Sequence, residues 1–395
     1  MTGPLLAMAS VLGILAGAGL EGPWRGVLDV AGGPLRFTIQ IQPSDQGYDG
    51  RLCNGSSCNL LSAIVVRDDS VRFEIADYAA TISAVLRGDS LVGAYRNVGN
   101  RGPRTIPFRA SPGTWPVTHP PTDLTGQWEA TYQYDGRTSP RIFEFRDTPG
   151  GLEGTIISNT GDYGLFWGVT EADSFAMAHF DGSFVYMLTG MLDGDTLRGV
   201  FHAGLRTQTA WTAVRSRGGP YLTPPTELTT ADTTAPFAFA FPDLDGRIVS
   251  NTDERFRDKV VLVDVFGTWC PTCHDAAPLL RQLYDAYHDR GLEIVGLAYE
   301  VTGDPSIDGA LVRRYREKFG LEFPLLLAGI NDTELAAETL PQLNGFTAFP
   351  TSIFLGRDGK VRQVHAGFYG PATGPQHTRL VADFHATIER LLAEP

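Results

Sequence analysis

The chain has 395 residues, of which 43% are hydrophobic, and this length favours two or three domains over a single core. A formal net charge of −13 leaves no basic surface to neutralise phosphates, so we do not expect binding to nucleic acid. Four cysteines are too few to hold a chain of this length together, which means that hydrophobic cores must stabilise it.

The chain begins with an apolar segment. Residues 4–20 read PLLAMASVLGILAGAGL, without a charged side chain, and A-G-A at 16–18 has the small-x-small pattern of a signal-peptide cleavage site. No Lys or Arg precedes the segment, and it is shorter than the ~20 residues that span a bilayer comfortably. We therefore interpret residues 1–20 as a signal peptide or N-terminal anchor, with a buried first element as the alternative, and expect an exported protein of the periplasm or cell envelope.

The first half of the chain contains two copies of one pattern. Three pairs of segments match in the same order, at offsets of 104, 104 and 106 residues: GPWRGVL (22–28) with GQWEATY (126–132), GYDGRL (47–52) with GLEGTI (151–156), and GDSLVGAY (88–95) with GDTLRGVF (194–201). Short stretches that alternate polar and apolar residues lie between Gly, Asp and Asn turn signals, which is typical of antiparallel strands with one buried face. We predict two all-β repeats, residues 22–111 and 124–216, each folded as a barrel or sandwich. Trp24 and Trp128 open the two copies at matched positions and are interpreted as core residues.

Cys53 and Cys58 occur only in the first copy, in the sequence CNGSSCN. Their spacing across a Gly/Ser turn favours a structural disulfide that closes a hairpin in an exported protein. The alternative is that this pair exchanges electrons with the second cysteine pair of the chain.

The composition changes after the second copy. Residues 217–234 are rich in Pro, Gly and Thr and are predicted to form an extended linker. From 235 to 395 strands alternate with helices, which predicts an α/β domain that ends in an antiparallel hairpin and a helix. The expected strands are 259–266, 292–299, 323–329, 349–356 and 360–367, and the expected helices follow Cys273 and cover 305–319, 333–340 and 376–393.

The sequence WCPTCH at 269–274 has two incompatible interpretations. W-C-x-x-C is typical of a redox-active dithiol, whereas C-x-x-C-H is typical of a covalent haem site. A haem needs a second axial ligand, often Met, but all five Met residues precede the motif, and a turn after a buried strand leaves little space for a porphyrin. We therefore favour the dithiol, and expect His274 to be a solvated residue of the first helical turn.

The dithiol interpretation assigns different roles to the two thiols. Cys270 would lie at the N-terminus of a helix, where unpaired N–H groups and the helix dipole favour a thiolate, and Cys273 would lie one turn deeper and resolve the mixed disulfide. Asp264 lies in the middle of an apolar strand, so burial should raise its pKa and suit it to accept the Cys273 proton. A hydrogen bond from Asp264 to a nearby turn is the alternative.

Residues 235–395 resemble the thioredoxin superfamily, specifically the TlpA/ResA-like thiol–disulfide oxidoreductases. The resemblance rests on APFAFAFPDLDG (235–246), VVLVDVFGTWCPTC (260–273), Pro278 and FPTSIFL (349–355). It implies that Pro350 is a cis-proline opposite the cysteines, that Phe349 presents its backbone to an extended substrate, and that Trp269, Pro271 and Thr272 complete the site. It also implies that helix 305–319 and strand 323–329 are the extra helix and strand that this branch inserts before the cis-proline. The sequence departs from this branch at two places. Ala276 stands three residues after the second cysteine, where the branch commonly has Glu. The dipeptide between the cysteines is Pro271-Thr272, whereas the branch usually has Pro at its second position.

The expected function is that of an extracytoplasmic thiol–disulfide oxidoreductase, a reductase by resemblance, which exchanges disulfides through Cys270 and Cys273 without a metal or another cofactor. Its substrates would be protein or small-molecule disulfides, and a reductase would need an upstream electron donor in the membrane. The β repeats would dock or select the substrate. Two alternatives are a carbohydrate- or lipid-binding β protein with an accessory redox domain, and a thioredoxin-fold peroxidase, although Trp269 and the paired cysteines favour exchange.

Overall fold

The computed structural model describes residues 19–99, 102–120 and 124–394, so the signal peptide or anchor predicted for residues 1–20 lies almost wholly outside the described residues. Over the described ranges, none of the helices combines the length and apolar character needed to cross a membrane. The predicted fold class is confirmed: two repeated all-β units precede an α/β thioredoxin-like domain.

The first β unit is an open, up-and-down antiparallel sheet, called the half-barrel below. Its nine strands have the spatial order β4-β3-β2-β1-β9-β8-β7-β6-β5. Their bounds are β1 (Gly22–Val30), β2 (Gly33–Ser44), β3 (Gly47–Asn54), β4 (Ser57–Leu60), β5 (Ala63–Arg67), β6 (Ser70–Ile75), β7 (Ala80–Arg87), β8 (Ser90–Gly99) and β9 (Gly102–Pro112).

The second unit also has nine strands, in the corresponding order, but its sheet closes into a barrel. It is called the closed barrel below. Pairing of β11 and β14 with β12 joins eight strands into a ring, while β13 pairs only with β12. The strands are β10 (Gly126–Tyr134), β11 (Arg137–Thr148), β12 (Gly151–Ser158), β13 (Gly161–Asp162), β14 (Phe166–Glu171), β15 (Ser174–Phe180), β16 (Val185–Asp193), β17 (Thr196–Ala203) and β18 (Thr207–Arg215).

Two matched tryptophans show how closely the units correspond. Trp24 and Trp128 are 2% and 1% exposed, which confirms their assignment to the cores. Each indole N–H donates to the carbonyl four residues earlier, at 2.8 Å to Leu20 and 2.9 Å to Leu124. The repeated sequence therefore produces a repeated tertiary contact.

The open side of the half-barrel is completed by the closed barrel. Phe180, at the end of β15, belongs to the hydrophobic core of the half-barrel, with its ring centroid 4.9 Å from that of Phe37 and 5.0 Å from that of Tyr95. The Asn54 side chain donates to the Phe180 carbonyl at 3.0 Å and accepts from its N–H at 2.9 Å. Residues of the closed barrel thus complete the core of the half-barrel, which is the shared core of the two units, while the interior of the closed barrel forms a cluster of its own.

The α/β domain contains a five-stranded sheet in the order β24-β23-β22-β26-β27. β22 (Val260–Phe266), β23 (Leu292–Glu300) and β24 (Leu325–Ile330) are parallel, whereas β26 (Thr351–Leu355) and β27 (Val361–Ala366) form an antiparallel hairpin. Helices α2 (Pro271–Tyr287), α3 (Pro305–Phe319) and α5 (Pro375–Leu392) pack on one face, and α4 (Thr333–Thr339) packs on the other. Along β22 the side chains alternate between these two cores, so Asp264 is directed towards the face that carries α2.

The segment predicted as an extended linker, 217–234, is partly ordered against this domain. It contains α1 (Pro225–Leu228) and β19 (Thr230–Ala231), and β19 pairs with β25 (Leu343–Asn344). The next residues form the hairpin of β20 (Ala240–Pro242) and β21 (Ile248–Ser250). The Pro and Thr content that prevents a long helix here still permits one short turn of helix and a two-residue strand.

The shared core predicts that Phe180→Ala loosens the half-barrel although Phe180 belongs to the second repeat. Removal of a buried Phe side chain costs about 3–5 kcal/mol, so amide hydrogen exchange should accelerate in β2 and β8. Val214→Ala, at a side chain of β18 that is 51% exposed, is the control and should leave exchange unchanged. Acceleration confined to β10–β18 would contradict the shared core.

Candidate active site

The candidate active site lies where β22 ends and α2 begins. Gly267, Thr268 and Trp269 form a turn in which the Cys270 N–H donates to the Gly267 carbonyl at 3.1 Å. Cys270 is the N-cap of α2, and Pro271, whose fixed φ suits a first helical position, starts the helix. The thiols of Cys270 and Cys273 are free and only 4% and 1% exposed.

Cys270 is surrounded by groups that stabilise a thiolate. Its Sγ lies 3.2 Å from Thr272 Oγ1, which can donate to the anion, and 3.5 Å from the Phe349 carbonyl oxygen, which accepts only from the protonated thiol. Burial opposes ionisation, but hydrogen bonds from the Cys273 thiol, the Thr272 hydroxyl and the Cys273 backbone N–H outweigh it and lower the pKa of Cys270. Burial, with the hydrogen bond and charge of Cys270, raises the pKa of Cys273 well above its usual value. The two thiols are therefore chemically distinct.

The structure brings the other predicted site residues to the same place. The Phe349–Pro350 peptide bond is cis, and the Phe349 carbonyl faces both Cys270 and Thr272, whose Oγ1 is 3.5 Å from it. The Trp269 ring meets the Phe349 ring edge-on at a centroid distance of 5.5 Å, and its indole N–H donates to the Tyr299 carbonyl at 2.8 Å. Phe349 thus contacts Trp269 through its ring and faces Cys270 through its carbonyl group.

Asp264 lies beneath the cysteines and is 3% exposed. Burial raises its pKa to about 7, and its charge in turn raises the pKa of Cys273. Within the described ranges its Oδ1 has no hydrogen-bond partner, and no bond from Asp264 to a turn is found. The carboxyl group is thus close to Cys273 and able to gain or lose a proton near neutral pH.

Sequence reasoning missed Glu300, which holds the turn before Cys270. Its carboxylate is 1% exposed and accepts from the backbone N–H of Thr268 at 2.8 Å and from the Thr268 hydroxyl at 2.7 Å. Burial raises its pKa to about 8. A charged residue that follows the uncharged stretch 294–299 of the strand LEIVGLAYE, parallel to β22, was the signal that could have identified it.

The prediction that His274 is solvated was wrong. It is 8% exposed, its Nε2 lies 2.7 Å from the Thr268 carbonyl oxygen, and the Tyr78 ring stacks on it at a centroid distance of 4.5 Å. Burial, assisted by the positive charge of Lys318, lowers the pKa of His274 to about 4. The half-barrel turn at Ala76–Tyr78 covers this side chain, and a contact so distant along the chain leaves no local sequence signal.

The site opens into a cleft of about 440 Å³ between all three modules, called the redox cleft below. The closed barrel docks through a parallel bridge between Gly161 and Phe368 and through Asp162, whose carboxylate accepts from the Gly370 N–H at 2.5 Å. The half-barrel docks through an ion pair between Asp77 and Lys318. The β units therefore supply walls of the cleft, and their Tyr78, Asp162, Asp181 and Tyr186 side chains line it beside Cys270.

Cys53 and Cys58 lie directly opposite each other in β3 and β4 and are disulfide-bonded. The neighbouring Ser57 and Asn59 line the redox cleft, whereas neither of these cysteines is among its described lining residues. The hairpin is fixed to the closed barrel by Glu153, which accepts from the Ser56 N–H at 2.7 Å and the Ser56 hydroxyl at 2.9 Å. This disulfide therefore braces a wall of the cleft, and an exchange with Cys270 stays a prediction.

Among the described residues, no group of three or more His, Cys, Asp or Glu side chains is arranged to hold a metal ion.

Comparison with known proteins gives a match of residues 230–374 to the family model described as Redoxin. The β units lie outside this match.

Curated relatives with the name thiol-disulfide oxidoreductase ResA include one from Geobacillus thermodenitrificans, 34% identical over 129 residues, which cover 33% of this chain and 66% of that protein. Another, from Bacillus anthracis, is 28% identical over 123 residues, covering 31% and 62% respectively. The chain thus spans just under two thirds of the length of these relatives. A solved thiol:disulfide interchange protein from Chlorobium tepidum is 23% identical, with 42% of this chain and 99% of that chain covered and a TM-score of 0.32.

The contact between Cys270 and Thr272 predicts that Thr272→Val raises the pKa of the Cys270 thiol, because the anion loses a hydroxyl donor. The pH profile of Cys270 alkylation by iodoacetamide should move to higher pH. Thr252→Val, at an exposed threonine outside the cleft, should keep the wild-type profile. An unchanged profile in Thr272→Val would show that the hydroxyl does not stabilise the thiolate.

Proposed function

We propose that this protein, whose C-terminal domain belongs to the thioredoxin superfamily, is a thiol–disulfide oxidoreductase. The observation that carries the proposal is the pair of buried free thiols at the start of α2, one with a lowered and one with a raised pKa, beside the cis-peptide at Phe349–Pro350. A nucleophile and a resolving thiol one helical turn apart are the groups that disulfide exchange needs.

In the first step, the Cys270 thiolate attacks one sulfur of a substrate disulfide. A bond forms between Cys270 and that sulfur, the substrate bond breaks, and the second sulfur leaves as a thiolate that takes a proton from solvent. Thr272 and the backbone N–H of Cys273 stabilise the anion before attack. An extended substrate would lie along Phe349, whose carbonyl already faces Cys270.

In the second step, Cys273 resolves the mixed disulfide. Its proton must leave first, and Asp264, with a pKa of about 7, is the buried base available beneath it. The Cys273 thiolate attacks Cys270, the mixed disulfide breaks, and the second substrate thiol is released. The dithiol has been oxidised to a Cys270–Cys273 disulfide and the substrate reduced to two thiols.

The proposal also covers the cellular location of the protein, the direction of electron flow and the partners. Export is supported by the apolar N-terminal sequence and by the Cys53–Cys58 disulfide, since disulfides persist in oxidising compartments. A reductive direction, with electrons from a membrane donor, follows the resemblance to ResA. The β units would select the substrate, because they form walls of the redox cleft.

The geometry of His274 counts against the alternative of a covalent haem. An axial ligand must expose a ring nitrogen to iron, yet His274 Nε2 lies 2.7 Å from the Thr268 carbonyl oxygen and Tyr78 covers the ring face. Both cysteines are also buried in the core between β22 and α2. These contacts favour disulfide exchange.

The proposal predicts that Cys273→Ser accumulates a mixed disulfide at Cys270, because attack proceeds and resolution cannot. Intact-mass measurement after mixing the reduced variant with bis(2-hydroxyethyl) disulfide should show one bound 2-hydroxyethylthiol, whereas wild type should end as an internal disulfide. Cys270→Ser, the matched control, should not react at the remaining Cys273 thiol. A bound 2-hydroxyethylthiol on Cys270→Ser, or none on Cys273→Ser, would refute the proposal.

The role of Asp264 predicts a pH dependence of resolution. Below about pH 7 its carboxyl is protonated and cannot accept the Cys273 proton, so release of the second thiol should slow as the pH falls through that value. Asp264→Asn should be slower by a factor of about 10²–10⁴ above pH 7 and lose this inflection. Asp258→Asn, at an exposed residue just before β22, should retain it; retention by Asp264→Asn would identify another base.

A further inference from the structure

The strand β4 is an exposed sheet edge beside the redox cleft. Among the described strands it pairs only with β3, and all four of its residues, in the sequence SCNL, are exposed. Proteins commonly protect an edge strand with a charge, a proline or a covering element, but SCNL contains no charge and no proline, and only its shortness limits pairing. Leu60, its last residue, is 69% exposed. Another strand can therefore pair at this edge.

The register of the β3–β4 hairpin determines which backbone groups of β4 are free. Cys53 and Cys58 lie opposite each other with Cα atoms 4.1 Å apart, the short spacing of a non-hydrogen-bonded pair. Such pairs alternate with hydrogen-bonded pairs, and the Leu61 N–H, which donates to the Gly50 carbonyl at 2.9 Å, fits this alternation. The N–H and C=O groups of Cys58 and Leu60 therefore point away from β3, where no other described strand accepts or donates to them.

The second repeat uses the corresponding edge to bind another segment. β13 is the counterpart of β4, since the offset of 104 residues between the repeats relates Ser57 to Gly161, and both stand at the same position of their hairpins. The outer edge of β13 is occupied, because Gly161 forms a parallel bridge with Phe368 of the α/β domain. No equivalent bridge to β4 is found in the part of the chain that the structure describes. The first repeat thus keeps open an edge that the second repeat uses for docking.

The free edge of β4 and the nucleophile border one cavity. Ser57, Asn59 and Leu60 line the redox cleft together with Cys270 and Phe349. Successive residues of a strand point to opposite faces, so the presence of both Asn59 and Leu60 indicates that the cleft runs along the edge of β4. Leu60 also borders a second cavity of about 440 Å³, lined by residues of β2 and β3, so the space extends past the cleft. This arrangement suits a chain that runs along β4 towards Cys270.

We propose that β4 is the docking strand for the substrate, and that the substrate is an extended polypeptide segment whose disulfide-bonded cysteine reaches Cys270 when the segment adds to the β4 edge. This inference rests on the proposed function and names its substrate class. The backbone of an extended segment is complementary to the free N–H and C=O groups of Cys58 and Leu60, as in other complexes formed by strand addition. A thiol that is 4% exposed also favours a thin extended chain over the surface of a folded protein.

Two contacts hold the edge in place before a substrate arrives. The Cys53–Cys58 disulfide joins β4 to β3, and the Glu153 carboxylate accepts from the Ser56 N–H and hydroxyl in the turn between these strands. A strand that is already ordered loses little conformational entropy when a partner pairs with it. The exchange itself is the one described above: the Cys270 thiolate attacks the cysteine sulfur of the segment, and the second sulfur leaves.

The first test traps the segment on the nucleophile in full-length Cys273→Ser. The probe is an end-blocked peptide of about nine residues, with Thr and Val alternating around one cysteine, which spans about 30 Å at ~3.3 Å per residue. Its cysteine is joined to 5-thio-2-nitrobenzoate, a low-pKa thiol that leaves as a coloured thiolate when Cys270 attacks the peptide sulfur. The control adduct carries 2-hydroxyethylthiol in place of the peptide. Intact mass checks that the Cys53–Cys58 bond is kept in both.

Residue-resolved amide hydrogen exchange is then compared between the two adducts. With the peptide, exchange at Cys58 and Leu60 should slow by at least about tenfold, because their N–H groups gain acceptors. With 2-hydroxyethylthiol it should remain as fast as in the free protein. Asn59, whose N–H already faces β3, is the internal control and should exchange alike in both adducts.

The second test measures the preference of Cys273→Ser for the peptide over the 2-hydroxyethyl probe, as the ratio of their rates of thiolate release, each divided by the rate of the same probe with dithiothreitol. We expect at least about tenfold, the effect of one or two backbone hydrogen bonds. Leu60→Pro removes an outward N–H that an edge strand tolerates losing, and should lower the preference about two- to tenfold further than Leu60→Ala, which keeps the N–H. Ile248→Ala, at a 66% exposed side chain of β21, should leave the preference unchanged.

Unchanged exchange at Cys58 and Leu60 in the peptide adduct, or equal preferences in Leu60→Pro and Leu60→Ala, would overturn the inference and leave the proposed function intact. Exchange at these two amides that slows in the free protein as its concentration rises would identify a second copy of the chain as the occupant, and would overturn it as well. If neither probe forms an adduct at Cys270, the proposed function itself fails.

Discussion

The site depends on keeping one sulfur anion stable away from water. Burial alone would protonate Cys270, and only directed donors reverse this: the Thr272 hydroxyl, the Cys273 thiol and the Cys273 backbone N–H. The same hydrogen bond that stabilises the Cys270 thiolate holds the proton on Cys273. One interaction therefore lowers the pKa of Cys270 and raises the pKa of Cys273. Glu300 adds rigidity, because it fixes the turn from which Cys270 projects.

The incomplete closure of the half-barrel has an equally direct effect on the site. A sheet that does not close leaves apolar side chains without neighbours, and here Phe180 of the closed barrel fills that space. Since the two β units share this core, they present one composite surface to the α/β domain. The docking contacts of that surface, at Asp77 and Asp162, place the β units beside Cys270, so that the site lies in a cleft lined by all three modules.

Much of this organisation was predictable from sequence, and the exceptions have a common cause. The repeats, the alternation of strands and helices and the cysteine pair at residues 270 and 273 follow from patterns within short stretches, so the fold class was predicted. His274 was misjudged, and Asp162 and Asp181 were overlooked, because their environment is created by modules far apart in sequence. Closure of one copy and not the other was equally inaccessible, since both copies have the same strand pattern and differ in one pairing: β14 pairs with β12, whereas the described β5 is at the edge of its sheet. Glu300 alone among the missed residues had a local signal, as a charge that ends an apolar strand.

The pairing of β19 with β25 has a consequence for how the modules stay together. It anchors the chain leaving the closed barrel to the α/β domain itself, so the barrels are tethered by a short stretch of polypeptide. A tether of this kind gives the docking surfaces a high effective concentration for each other, on the order of mM for a short flexible connection. Individually weak contacts then suffice to keep the cleft assembled.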